Sequence, residues 1–176
     1  MIWIVVITVV LAVSFVLYYQ RQYENEKKVS TTKINKVASY FKCKLIEESI
    51  NRSLAQMDKT NGFYKDEDEA NRELTTCLNL LGHTASYQYV LDNKRTADIL
   101  VDNCIIEGKL SPDNTEIDRV IGQVSDYLSL SKRIFVVLYG YIDKQSIERL
   151  NNRLVIPNPL KVKLIYLNGA QRVRRS

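Results

Sequence analysis

The 176-residue chain has one histidine, His83, and three cysteines. Cys43, Cys77 and Cys104 lie far apart and none belongs to a Cys-x-x-Cys pair. This odd, scattered set excludes a disulfide framework and a Cys/His zinc site as organising features, and it suits a reducing compartment. Glycine and proline are scarce, six and three. Gly108, Gly122 and Gly140 stand alone, so no glycine-rich loop can cradle a nucleotide phosphate. With 45% apolar and 26% charged residues, collagen-like and wholly disordered chains are excluded. The length allows one ordinary domain plus a tail. Most of the chain also lacks an excess of charge. Seven basic residues between Gln20 and Leu45 face only Glu24 and Glu26, an excess of five that equals the whole net charge of +5. The body is therefore not a basic nucleic-acid-binding domain by bulk charge, and any nucleic acid must be held by local groups or metal.

What is present first is a long uncharged run, Ile2 to Tyr19. Its eighteen residues at about 1.5 Å each would span roughly 27 Å, close to the hydrocarbon thickness of a bilayer. Trp3 and the Tyr18-Tyr19 pair suit the two interfaces. A cleaved signal peptide wants a basic start and a shorter apolar run, and a buried soluble helix is rarely apolar on every side for this length. Residues 1–19 are therefore expected to be a single-pass anchor. The basic residues that follow place the body on the cytoplasmic side. Residues 20–60 read as a basic juxtamembrane linker and an amphipathic helix, with Ile34, Val37, Phe41 and Leu45 as its apolar stripe, a packing face or, alternatively, a face that lies on the membrane. Asn61-Gly62 breaks that helix. The body follows over 61–170, and Arg172, Arg174 and Arg175 make 171–176 a basic tail.

Within the body, the acidic run Asp66 to Glu69 favours a solvated helix N-terminus, and that helix ends at Gly82. Three short segments rich in β-formers follow: Ser86–Leu91, Ala97–Val101 and Cys104–Leu110. A helix opens at Ser111-Pro112-Asp113-Asn114 and runs to about Leu130. Arg133–Ile142 is a near-continuous apolar run, as a strand covered on both faces would be. A helix over Asp143–Arg153 and a strand over Leu160–Leu167 complete the order. Three neighbouring strands followed by helical crossovers imply an α/β fold, a mixed sheet flanked by helices.

The chemistry concentrates in Ala97 to Leu110. With Asp102-Asn103 as a two-residue turn, Val101 faces Cys104 and Asp98 lies opposite Glu107. Such partners put their Cβ atoms about 4.5–5.5 Å apart. Lys109 shares the face of Glu107 because side chains alternate along a strand. Opposed carboxylates repel, and a divalent cation between them would turn that repulsion into binding. Oxygen ligands favour magnesium or manganese over zinc, and an adjacent lysine can orient a water for attack on phosphorus. Alternatively, Asp, Glu and Lys form a solvated strand face. His83, after Gly82, reads as a loop residue.

Asp98, an eight-residue gap, then Glu107-Gly108-Lys109 resembles the PD-(D/E)xK motif of the restriction-endonuclease-like superfamily, with Ala97 where that family often has proline. The element order over Asn71–Leu167 matches the superfamily's αβββαβ core, with one further helix and strand. Gln123 and Tyr127 resemble the Q-x-x-x-Y feature of its RecB-like branch. The resemblance implies that Asp98 and Glu107 hold the metal with the Gly108 carbonyl, and that Lys109 positions the water. It also implies that Gln123 orients lysine, water or substrate, and that Glu73 on the first helix completes the acid cluster. Lys94 and Arg95, just before the second strand, are candidates to hold a backbone phosphate, and Tyr127 to contact nucleic acid. The resulting expectation is a membrane-anchored, magnesium- or manganese-dependent nuclease acting on DNA, with RNA as the other possible substrate. The alternatives are a nuclease-fold module that no longer cuts and serves as a membrane-tethered binding or assembly protein, and a plain anchored scaffold.

Overall fold

The structure, a computed structural model, describes residues 17, 18, 20–22, 24, 25, 27, 28, 35, 38, 41–57, 64–91, 94–130 and 132–166. The chain divides into two units, Met1–Lys42 and Cys43–Ser176. In the first, the described residues are helical and exposed. Of the expected anchor, only residues 17 and 18 are described; the Asn61-Gly62 turn and the tail at 171–176 lie outside the described residues. Among the described residues, no helix is long and apolar enough to cross a membrane.

The second unit is α/β, a five-stranded mixed sheet flanked by helices. A helical run over 41–57, α1, leads into it. Then come α2 (Glu67–Leu80), β1 (Ala85–Val90), β2 (Thr96–Val101), β3 (Cys104–Leu110), α3 (Asn114–Tyr127), β4 (Arg133–Tyr139), α4 (Lys144–Leu150) and β5 (Val162–Tyr166). The end of α4 continues as a wider π-helical turn over Asn151–Val155. The strands lie in sequence order. β1, β2 and β3 pair antiparallel, while β3, β4 and β5 pair parallel. Tight turns can join the antiparallel strands, whereas the parallel ones need crossovers, supplied by α3 and by α4 with its π turn.

Asp66, Asp113 and Asp143 each cap a helix by accepting a backbone N–H three residues on, which satisfies one of the orphan donors of the first turn. Gly82 ends α2 with φ +88°, a backbone state open to glycine at no steric cost. Both sheet faces are covered. On one, Ile46, Ile50, Leu74 and Leu78 meet Ile99, Ile106, Phe135 and Val137. On the other, Ile117, Val120 and Val124 meet Ile105, Ile134, Val136 and Leu138. The apolar run of β4 is thus explained, since each fully buried side chain of this size contributes roughly 1.5–3 kcal/mol.

The α1 stripe requires a correction. Ile34 and Val37 lie outside the described residues, and Phe41 and Leu45 are each 59% exposed. The inward positions are Ile46, Ile50, Leu54 and Met57. They repeat at helical spacing one residue on from Leu45, so the buried face is turned by about 100° from the expected one.

Candidate functional site

The Asp102-Asn103 turn sets the register. Asp102 takes φ +52°, tolerable for aspartate. Val101 then pairs with Cys104, Leu100 with Ile105 and Ile99 with Ile106. The next pair in this series is Asp98 with Glu107, and there the regular pairing stops. Instead, Asp98 Oδ2 accepts the Gly108 N–H at 2.9 Å. A carboxylate thus takes the place of a ladder carbonyl where the two strands part.

Lys109 lies at the centre of this opening and its side chain is 3% exposed. Its Nζ donates to Glu67 Oε1 at 2.6 Å and to the Gly108 carbonyl at 2.9 Å. Asp98 Oδ2 is 3.4 Å away and Glu107 Oε1 3.0 Å. The last contact is close but not aligned as a hydrogen bond, so the buried Glu107 Oε1 has no hydrogen-bond donor. The single proton of the Tyr127 hydroxyl is shared between two acceptors, the Thr96 carbonyl at 2.9 Å and Glu107 Oε2 at 3.2 Å. Burial first, and the Asp98 charge second, raise the Glu107 carboxyl to about 7. Burial alone would lower Lys109, but Glu107, Asp98 and Glu67 outweigh it and hold the ammonium firmly protonated.

Gly108 is sterically required. A Cβ there would lie 2.9 Å from both Asn71 Cγ and Tyr139 Cε2, and would overlap Asn71 Oδ1. Asn71 is fixed because its Oδ1 accepts the Tyr139 hydroxyl at 3.0 Å. The close approach of α2 to β3 brings Glu67, the first residue of α2, over Lys109.

The expected site residues therefore separate. Asp98, Glu107, Gly108 and Lys109 converge. Glu73 does not join them; it is the carboxylate beside the Tyr64 hydroxyl, whose pKa burial and Glu73 together raise. The helix acid at the cluster is Glu67, nearly two turns earlier. It belongs to the acidic run expected to be a solvated first turn, and no spacing in the sequence distinguishes it from Asp68 or Glu69. Gln123 lies one turn before Tyr127 on α3, and its Oε1 is buried without a hydrogen-bond partner. Tyr127, expected to contact nucleic acid, is instead 1% exposed and holds Glu107. Lys94 is exposed in the β1–β2 turn. Arg95 is exposed too, but pairs with Asp126 at 3.0 Å.

Three carboxylates surround one ammonium, so the cluster carries an excess of two negative charges when all four groups are ionised. Among the described residues, no three His, Cys, Asp or Glu side chains are arranged as a ready metal site; the Lys109 ammonium occupies the space between them. A second polar relay sits at the opposite end of β3. Ser49 Oγ is 2.9 Å from His83 Nε2, and His83 Nδ1 is 3.1 Å from Asp102 Oδ2. His83, expected as a loop residue, thus bridges α1 to the β2–β3 turn. Ser49 lies inside a helix, where main-chain N–H groups are consumed by the helical ladder. It therefore has no pair of free donors for an oxyanion, and the relay serves to fasten α1.

Comparison of the chain with protein-family models, with curated proteins and with solved structures gives no match in any of the three.

Proposed function

We propose that this chain is a metal-dependent nuclease of the PD-(D/E)xK kind, tethered to a membrane by residues 1–19, with its body in the cytoplasm and DNA as its substrate. The observation that carries the reading is the convergence of Asp98, Glu107 and Lys109 where β2 and β3 part, with a buried Glu107 oxygen left without a donor. The strand order and the antiparallel-then-parallel pairing agree with the αβββαβ core of that superfamily.

The residues fit a magnesium or manganese ion by the chemistry of their donors. Asp98 and Glu107 offer carboxylate oxygens, Gly108 offers its carbonyl, and the excess of two negative charges matches a divalent cation. When bound, such an ion supplies Lewis acidity toward a phosphodiester oxygen. The chain's own groups do the rest. The Gly108 N–H and the Tyr127 hydroxyl hold the two carboxylates in orientation. Lys109, kept charged by its neighbours, positions the attacking water and stabilises the charge that develops on the phosphate. Glu67 holds the Lys109 ammonium from the α2 side. Gln123, with its unpartnered oxygen, orients water or substrate.

The test is magnesium-dependent degradation of linear single- and double-stranded DNA by the full chain in detergent. Cleavage that Asp98→Ala abolishes is the expected result; no cleavage with either metal sinks the reading. A second reading, a nuclease-fold module that binds but does not cut, gains support from the engagement of Arg95 by Asp126, which leaves fewer free cations for a phosphate backbone. DNA retention without cleavage would favour it.

A further inference from the structure

Cys43 and Cys104 are 61 residues apart in sequence, yet their sulfurs lie 3.2 Å from each other. Both thiols are free. Closing a bond of about 2.05 Å needs an approach of only about 1.2 Å. The two positions are held by packing. Cys104 opens β3 and belongs to the core cluster that contains Ile46 and Ile50 of α1, and Cys43 packs against the same cluster. The pairing therefore does not depend on a loop. Cys77, the third cysteine, sits half-buried on α2 beside Glu73.

We infer that Cys43 and Cys104 are a thiol–disulfide modification site that a small disulfide such as oxidised glutathione closes and its reduced form reopens. The half-buried Cys43 is the sulfur a small reagent can reach, whereas Cys104 is 1% exposed. Cys43 loses its proton and attacks one sulfur of the reagent, forming a mixed disulfide and releasing the first small thiol. Cys104 then gives up its proton and attacks the Cys43 sulfur, releasing the second. Two protein thiols are oxidised to one disulfide, and one small disulfide is reduced to two thiols. Burial pushes the Cys104 thiol well above the usual range, which slows its ionisation, so the second step is driven by the 3.2 Å proximity of the two sulfurs and the high effective concentration it gives. The bond would cross-link α1 to the strand that carries Glu107 and Lys109, and so remove freedom from the unfolded chain.

The experiment uses the full chain in detergent, exposed to oxidised and then reduced glutathione. Titratable thiols should fall from three to one, the monomer should lose two hydrogen atoms by mass, and a protease digest should yield Cys43 linked to Cys104. Reduced glutathione should restore all three thiols, and the denaturation midpoint should be higher for the oxidised form. Cys77→Ser should leave the linkage unchanged. Cys104→Ser should trap glutathione on Cys43, because the second attack is missing. Three thiols remaining after oxidation, a linkage through Cys77, or a bond between two chains would each overturn the inference. The peptide map of the unmutated chain decides it even where a variant fails to fold.

Discussion

The two ends of β3 are both polar and both largely withdrawn from water, yet they satisfy their polar atoms differently. At the Cys104 end, His83 has a partner on each ring nitrogen, Asp102 accepts from its surroundings, and the two cysteines face each other. At the Lys109 end, three carboxylates share one ammonium, and a buried Glu107 oxygen has no donor. A site shaped only for stability tends to pair each buried charge or to dispense with it, because an unbalanced buried charge is costly. The first end is arranged for cohesion. The second gathers more carboxylate than its one ammonium balances, with Glu107 buried and Glu67 and Asp98 partly exposed, and that imbalance is what supports the proposal that places function there.

The sharpest way to break the comparison is to remove the ammonium. If the Lys109 end is catalytic, Lys109→Ala should lower magnesium-dependent DNA cleavage by on the order of 10²–10⁴-fold, seen in kcat under saturating metal. Cleavage at the wild-type rate would mean that the carboxylate cluster is not the active site. The same substitution should also destabilise the metal-free fold, since three carboxylates would lose their counter-charge.

A slightly smaller effect concerns Glu107 and pH. Its carboxyl is raised from 4.5 to about 7, so the folded chain holds that proton more tightly than the unfolded one. The group's contribution to stability is greatest below about pH 4.5 and is lost as pH rises toward 7. Glu107→Gln has no such dependence. The metal-free stability of wild type relative to Glu107→Gln should therefore fall across that window, by on the order of 3 kcal/mol, and flatten above it. Denaturant titrations at pH 4.5, 6 and 8 measure the difference. A constant offset would show that the carboxyl is not perturbed.

Gly108→Ala should follow, costing about 1–3 kcal/mol, because its Cβ would press on Asn71 and Tyr139 and push α2 from β3. Cleavage should drop as Glu67 is drawn away from Lys109. An alanine variant with unchanged unfolding and unchanged activity would contradict the close approach.

Much of this fold was legible because local signals agreed. The Asp102-Asn103 turn fixes the β2–β3 register as far as Ile99 with Ile106, and Asp98, Glu107 and Lys109 converge just beyond the last pair. Asp66, Asp113 and Asp143 mark helix starts by their capping chemistry. What could not be read depended on how elements dock. Glu73 and Glu67 lie on the same helix, and choosing between them requires knowing how far α2 slides along β3. Gly108, Asn71 and Tyr139 settle that by contact. Tyr127 shows the same limit: its spacing from Gln123 is visible in the sequence, but whether its hydroxyl faces a ligand or Glu107 follows only from the packing of α3. The packing face of α1 was not legible because Phe41 and Leu45 are as apolar as Ile46 and Ile50, which are buried, so periodicity alone admits two faces.

The smallest expected effect sharpens the comparison from the other end of β3. His83→Ala removes both of the relay's hydrogen bonds at once, leaving Ser49 and Asp102 without their shared partner. Asp102 still accepts the Thr84 N–H at 3.4 Å, and His83 and Asp102 are partly solvated, their side chains 14% and 13% exposed. Water can therefore replace part of what is lost. The cost should be about 1–2 kcal/mol in chemical denaturation, the range for polar groups left partly unsatisfied. DNA cleavage per folded molecule should not change, because the relay lies at the opposite end of β3 from Lys109 and shares no side chain with it. His83→Gln, which can still bond on one side, should recover part of the stability. A large loss of cleavage with unchanged stability would reverse the assignment, placing chemistry at the His83 end and leaving the carboxylate cluster as the fastening.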